Sequence, residues 1–186
     1  LHKEYRRQRQ MCIRDRDKAT ITGSATEMLM GEVRFLRAYA YFTLYRYYGG
    51  VPLIIEPTGP KPDYVPRATR QEMFKFLYDE MAYALDKCLD NRSGIAYGRV
   101  TKGAVAGMLA KMKIFHASYI RRAEMYGNKI NETTADDVDK TTLYADAVKL
   151  CDDIIAGVYG TYKLEEYFPA VFTKRNNEIM FSVLAE

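Results

Sequence analysis

Apolar residues recur at helical spacing in four stretches of the chain, and each stretch carries its own start or stop signal. In the first, Leu29, Val33, Leu36, Ala40, Leu44 and Tyr47 fall three and four residues apart, which is one face of a helix. Phe35, Tyr39 and Phe42 add a second apolar row beside it, and so wide a stripe suits a helix packed on two sides. Ser24 or Thr26 supplies a hydroxyl suited to cap its first free N–H groups. Gly49-Gly50 ends the helix after Tyr48, because glycine adopts the left-handed cap without steric cost. Pro52 forbids a restart and holds Val51 extended, and Leu53, Ile54 and Ile55 form a short extended run that Pro57 cuts off.

The second stretch follows a stiff connection over 56–68, where Pro57, Pro60, Pro62 and Pro66 exclude both a helix and a central strand. Thr69-x-x-Glu72 is a capping box. Met73, Phe76, Leu77, Met81, Ala84, Leu85, Cys88 and Leu89 then keep helical spacing to a stop near Asp90. Thr101 is the expected cap of the third helix. Gly103, Ala104, Ala106, Gly107 and Ala110 make one end of that helix small enough for close packing, and Leu109, Met112 and Phe115 continue its face. Residues 121–140 are polar and read as a loop or a frayed helix end. A fourth helix is expected from about Thr142 to Ala156, with Tyr144, Ala147, Val148, Cys151, Ile154 and Ile155 as its stripe and Gly157 as its stop. Aromatic turns follow, and then a polar-to-apolar run that reads as a strand over 178–184. The fold class is therefore mainly all-α, built of helical hairpins, with short extended segments near 51–55 and 178–184. Residues 51–55 are the candidate partner for the last strand.

Composition changes this picture in two places. The 186 residues hold 48% hydrophobic and 28% charged residues, ordinary for a globular chain with a real core. The net charge of +4 lies in the first 20 residues, where seven basic side chains face three acidic ones; the other 21 basic and 21 acidic residues cancel. The body thus offers no excess charge for nucleic acid. The head is Gln-rich and without apolar spacing, and Met11–Arg16 resembles translated sequencing-adapter read-through. Residues 1–20 are read as a non-native or disordered basic head, and 21–186 as the domain. Three cysteines without a Cys-x-x-Cys do not make a disulfide framework. Cys88 and Cys151 both fall on apolar helix faces, where a thiol acts as a small hydrophobe. No run reaches the ~18 apolar residues of a membrane helix, and the basic head lacks the apolar region of a signal peptide.

Three segments together resemble one family. The first is Gly31, Glu32, Arg34, Phe35, Leu36, Arg37, Ala38, Tyr39, Tyr41 and Phe42, followed by Gly49, Gly50, Val51, Pro52 and Leu53. The second is Gly98-Arg-Val-Thr-Lys-Gly-Ala104 before an Ala/Leu-rich helix. The third is a Tyr-ending helix, Gly160-Thr-Tyr-Lys-Leu164 and Asn177-Glu-Ile-Met-Phe181. In this order they resemble the SusD (RagB/SusD) family of outer-membrane lipoproteins. The resemblance implies tetratricopeptide-like helix pairs, although the sequence itself shows no 34-residue repeat. It also implies a non-catalytic protein, tethered to the outer face of the outer membrane, that captures an oligosaccharide or other nutrient for a TonB-dependent, SusC-like transporter. Family members are much longer, so residues 21–186 are expected to be an internal part of the helical region, with the signal and lipid-bearing cysteine elsewhere.

Catalytic chemistry finds little to stand on. His2 lies in the head and His116 near the end of the third helix, so the body has no second histidine for a two-histidine metal site. Gly-x-Ser-x-Gly, His-Glu-x-x-His and glycine-rich phosphate loops are missing. His116 follows a core Phe and is expected to be a buried helix histidine. Asp136, Asp137 and Asp139 lack the Gly and distal Glu of an EF-hand, and neither a metal nor a cofactor is assigned. Glu32, Arg34 and Arg37 are expected to hold structure rather than ligand. A glycan site would stack sugar rings on aromatic faces beside polar side chains. Tyr47, Tyr48, Tyr64 and Arg67, at or near the Pro-rich loop, are the candidates. Two other classes stay open: a helical-repeat scaffold that binds proteins through a Tyr-rich face, and a helical carbohydrate-active enzyme whose carboxylates lie far apart in sequence.

Overall fold

In a computed structural model of the chain, the described residues are 23–55, 65–90, 98–126, 138–169, 178 and 180. They form four helices: α1 Ser24–Tyr48, α2 Arg70–Lys87, α3 Lys102–Tyr126 and α4 Lys140–Ile155. Helix α1 packs mainly on α2 and α3 mainly on α4, and α2 and α3 join the two hairpins. The all-α expectation therefore holds, and no strand occurs among the described residues. The expected strand over 178–184 falls almost wholly outside them, as does the head.

Side chains cap two of the helix starts, those of α2 and α3. Thr69 and Glu72 bond reciprocally, Glu72 N–H to Thr69 Oγ1 at 3.2 Å and Thr69 N–H to Glu72 Oε2 at 2.8 Å. Thr101 Oγ1 accepts the Ala104 N–H at 3.2 Å, so Thr101 caps α3 as expected. Helix α1 differs from expectation: its cap is Gly23, whose carbonyl accepts the N–H groups of Thr26 and Glu27, and no side chain caps it. Gly49 stops α1 at φ 70° and ψ −146°, a conformation that carries no steric cost for glycine. Helix α3 continues to Tyr126, so the first part of 121–140, expected to be a loop or a frayed helix end, is helical, and 127–137 lie outside the described residues.

The core runs across α1, α2 and α3. Phe42 meets Phe115 edge to face with centroids 5.5 Å apart, and Tyr45 meets Phe74 the same way at 5.2 Å. Edge-to-face rings add about 0.5–1.5 kcal/mol beyond the area they bury. Met73, Leu77, Met81 and Met112 are fully buried around them. The second hairpin is tied by Leu143, Ala147 and Leu150 of α4, and by Lys113 Nζ to Asp146 at 2.7 Å.

The inward faces differ from the expected stripes. On α1 the buried set is Gly31, Glu32, Phe35, Ala38, Phe42 and Tyr45. The row Leu36, Ala40, Leu44 and Tyr47 faces outward instead, with Tyr47 at 76% exposure. Both rows are apolar, so spacing alone did not say which one this part of the chain covers. On α4 likewise, Leu143 and Leu150 are buried while Val148, Cys151 and Ile155 are exposed. The expectation that Cys151 lies in an apolar interior is thus corrected, whereas Cys88 is buried.

Candidate functional site

Two of the residues that the sequence singled out sit at the end of α1. Tyr47 and Tyr48 occupy its last turn, 76% and 66% exposed. Their ring centroids lie 6.4 Å apart and the planes are tilted by 58°. Adjacent helical residues point about 100° apart, so the pair is no single flat platform. It presents two faces, and a ligand touching both must bend between them.

Arg67 reaches the same end through the backbone. The chain returns along 65–69, and the Ala68 N–H donates to the Val51 carbonyl at 3.1 Å. Gly50 permits this approach, because a Cβ there would collide with the Ala68 carbonyl and stand 3.8 Å from the Arg67 Cβ. Arg67 is exposed. Tyr64 lies outside the described residues. Residues 51–55 hold their extended shape by bonding α1: the Tyr41 hydroxyl accepts from Ile54 N–H at 3.0 Å and donates to Ile54 O at 3.1 Å. Tyr41 in turn meets Phe76 of α2 edge to face at 5.3 Å, so the base under the loop is fixed.

The charged residues of α1 do something else. Glu32, 8% exposed, accepts from Arg99 Nη2 at 2.6 Å and Nε at 2.9 Å. Arg37 bonds Glu80 of α2 through Nη2 at 2.6 Å and Nε at 2.7 Å. Arg34 lies 3.8 Å from the same carboxylate and stacks its guanidinium 3.9 Å over Tyr83. These are structural bonds from α1 to α2 and to the segment before α3, as expected of Glu32, Arg34 and Arg37. Glu80 was missed; its signal was an acid in line with the buried Met73, Leu77 and Ala84.

The three sequence segments meet at one seam. Arg99 of the second segment bonds Glu32 of the first. Thr101 bonds the Tyr162 hydroxyl at 3.0 Å and donates to Met180 O at 3.2 Å, both in the third. Gly103 is required because a Cβ would collide with the Tyr162 ring.

His116 is buried at 2% exposure, its ring stacked 3.9 Å from that of Phe74, and Nδ1 lies 2.9 Å from the Tyr78 hydroxyl. It is a core histidine. Among the described residues no cluster of His, Cys, Asp and Glu is built to hold a metal ion, and no helix is long and apolar enough to cross a membrane.

Known proteins share this architecture. A SusD-like protein of Bacteroides ovatus is 26% identical over 143 residues, which is 71% of this chain and 25% of that protein. The solved structure of a SusD-like protein from Bacteroides fragilis matches with a TM-score of 0.68 at 24% identity, covering 91% of this chain and 30% of the other. A laminarin-binding SusD-like protein matches with a TM-score of 0.58 at 21% identity, covering 85% and 30%. The chain thus spans about a quarter to a third of the length of these relatives. Residues 12–114 match the model of a SusD-like family described as starch-binding and associating with the outer membrane. That span holds the first two segments, the ion pairs that join them and the tyrosine pair, and the chain belongs to the SusD-like family.

Proposed function

We propose that this chain is a helical part of a non-catalytic nutrient-binding protein of the bacterial cell surface. Its ligand is a glycan, which it hands to a TonB-dependent, SusC-like transporter in the outer membrane. The observation that carries this reading is the match of residues 12–114 to a family described as starch-binding. The laminarin-binding relative supports the ligand class.

Within the described residues the contact surface we assign is Tyr47 and Tyr48 with Arg67; Tyr64, the fourth candidate, lies outside them. Two exposed rings, with the exposed Arg67 on the chain that returns past Gly50, offer what a sugar needs: apolar C–H faces meet the rings, and hydroxyls bond the cation. The hand-over is a binding and release step and requires no titrating group.

The test is a glycan array followed by calorimetry on the full-length protein. Oligosaccharide binding that falls about tenfold in Tyr47→Ala/Tyr48→Ala, or about 1.4 kcal/mol, supports both ligand and surface. Recovery of a soluble protein partner with no glycan bound would put the helical-scaffold reading in its place. Hydrolysis of the bound glycan would make the protein an enzyme.

A further inference from the structure

A concavity lies between α2, α3 and the start of α4. Its volume is about 240 Å³. The floor is the stacked pair Phe74 and His116, both buried, and Tyr78 forms a wall. The rim is polar: Gln71, Lys75 and Asp79 stand at successive turns of one α2 face, opposite Val138. We propose that this pocket is a site for a single pyranose ring, either a free monosaccharide or one terminal unit of a glycan. The proposal rests on the nutrient-glycan reading above and deepens it.

Size is the first argument. Pockets for drug-sized ligands measure roughly 300–1,000 Å³, so 240 Å³ has room for one ring, with any further sugar units left outside. Chemistry is the second. A pyranose has an apolar face of C–H groups and a circumference of hydroxyls, each both donor and acceptor. The half-buried Tyr78 ring suits the first. The rim suits the second, since Lys75 only donates, Asp79 only accepts and Gln71 does both. Lys75 and Asp79 make no ion pair or hydrogen bond with a described residue, although they carry opposite charges one turn apart. The third argument is preorganisation. Phe74 and His116 are parallel to within 1°, and the His116 bond to the Tyr78 hydroxyl fixes the wall. A ligand then orders few side chains as it enters.

The experiment titrates the full-length protein with methyl pyranosides of glucose, galactose, mannose and xylose, by calorimetry and ligand-observed NMR. Two variants are compared: Val138→Trp, which fills the pocket from its exposed rim, and Asp79→Asn, which removes the acceptor charge at an exposed position. One methyl pyranoside is expected to bind, with affinity reduced about tenfold by Val138→Trp and about threefold by Asp79→Asn. Asp79→Asn keeps the test intact should the larger residue disturb folding. If oligosaccharides bind while both variants leave methyl-pyranoside affinity unchanged, the pocket assignment is wrong and the nutrient reading survives. If phenylalanine binds in preference to every pyranoside, with Lys75 and Asp79 holding its two charges, the pocket is an amino-acid site and the proposal is overturned. If neither oligosaccharide nor pyranoside binds, both readings fall.

Discussion

The two ends of α1 put their side chains to opposite uses. Toward its start, Glu32, Arg34 and Arg37, expected to hold structure, pair with Arg99 and Glu80 and tie α1 to its neighbours. In its last turn, Tyr47 and Tyr48, the candidates for a glycan surface, both stand open. A charged side chain in the body of a packed helix has already used its bonding capacity on neighbours. An aromatic in the last turn has no further turn to cover it. Position along the helix, more than residue type, separates architecture from surface.

The largest expected effect tests the inner face against the outer one. Phe42→Ala removes a ring in contact with Phe115 and leaves a cavity in the three-helix core. It is expected to cost about 3–5 kcal/mol in denaturant unfolding of this chain. Leu44→Ala, on the half-exposed outer row, is expected to cost under about 1 kcal/mol. Equal costs would mean that the outer row is also buried, and the contrast between faces would be lost.

Next in size is the charged start of α1. Glu80 is 5% exposed and serves two arginines. Glu80→Ala strands both cations, with a cost of about 2 kcal/mol because the arginines keep partial access to water. A smaller loss for Arg37→Ala than for Glu80→Ala, in thermal melts of the two variants, would confirm that the carboxylate is the shared centre. A neutral outcome for both would return these residues to the pool of ligand contacts.

Much of this was legible in the sequence, and the reasons are local. Helices are signalled by capping and stopping residues that act within four positions, so Thr69-Glu72, Thr101, Gly49 and Gly157 placed the elements closely. The small residues at the start of α3 announced a close approach, and Gly103 under Tyr162 is that approach. Burial was less legible. On α1 and α4 both apolar rows satisfy helical spacing, and the row that packs is set by partners far away in sequence. The pairing of Glu80 with two arginines some 43 residues distant has no local signal except an acid on an apolar stripe. The pocket at Phe74 was invisible for the same reason: Phe74 sat off the expected stripe, and three elements build the cavity.

Smaller effects sharpen the comparison at the loop. Thr69→Ala removes the cap of α2 and is expected to cost about 1 kcal/mol. Its pH dependence is specific. The Thr69 backbone N–H, and after it the Thr69 hydroxyl, hold the Glu72 carboxyl below its ordinary value. A depressed folded value means stabilisation present above the ordinary glutamate range and lost as pH falls through the lowered one. Thr69→Ala should therefore cost more near about pH 6 than near about pH 3, with urea midpoints as the readout. A cost that does not change with pH would leave the hydroxyl as the working cap and Glu72 as a bystander.

The smallest expected change in stability belongs to Tyr47→Ala/Tyr48→Ala, under about 0.5 kcal/mol, because side chains this exposed have little burial to lose. Here a null result is informative. In the full-length protein, an unchanged melting temperature together with weakened oligosaccharide binding would make the last turn of α1 a ligand surface. A melting temperature that falls would mean that another part of the longer protein packs on these rings. The tyrosines would then join Glu32 and Arg37 as structure, the two ends of α1 would no longer differ, and the pocket over Phe74 and His116 would be left as the candidate site on these helices.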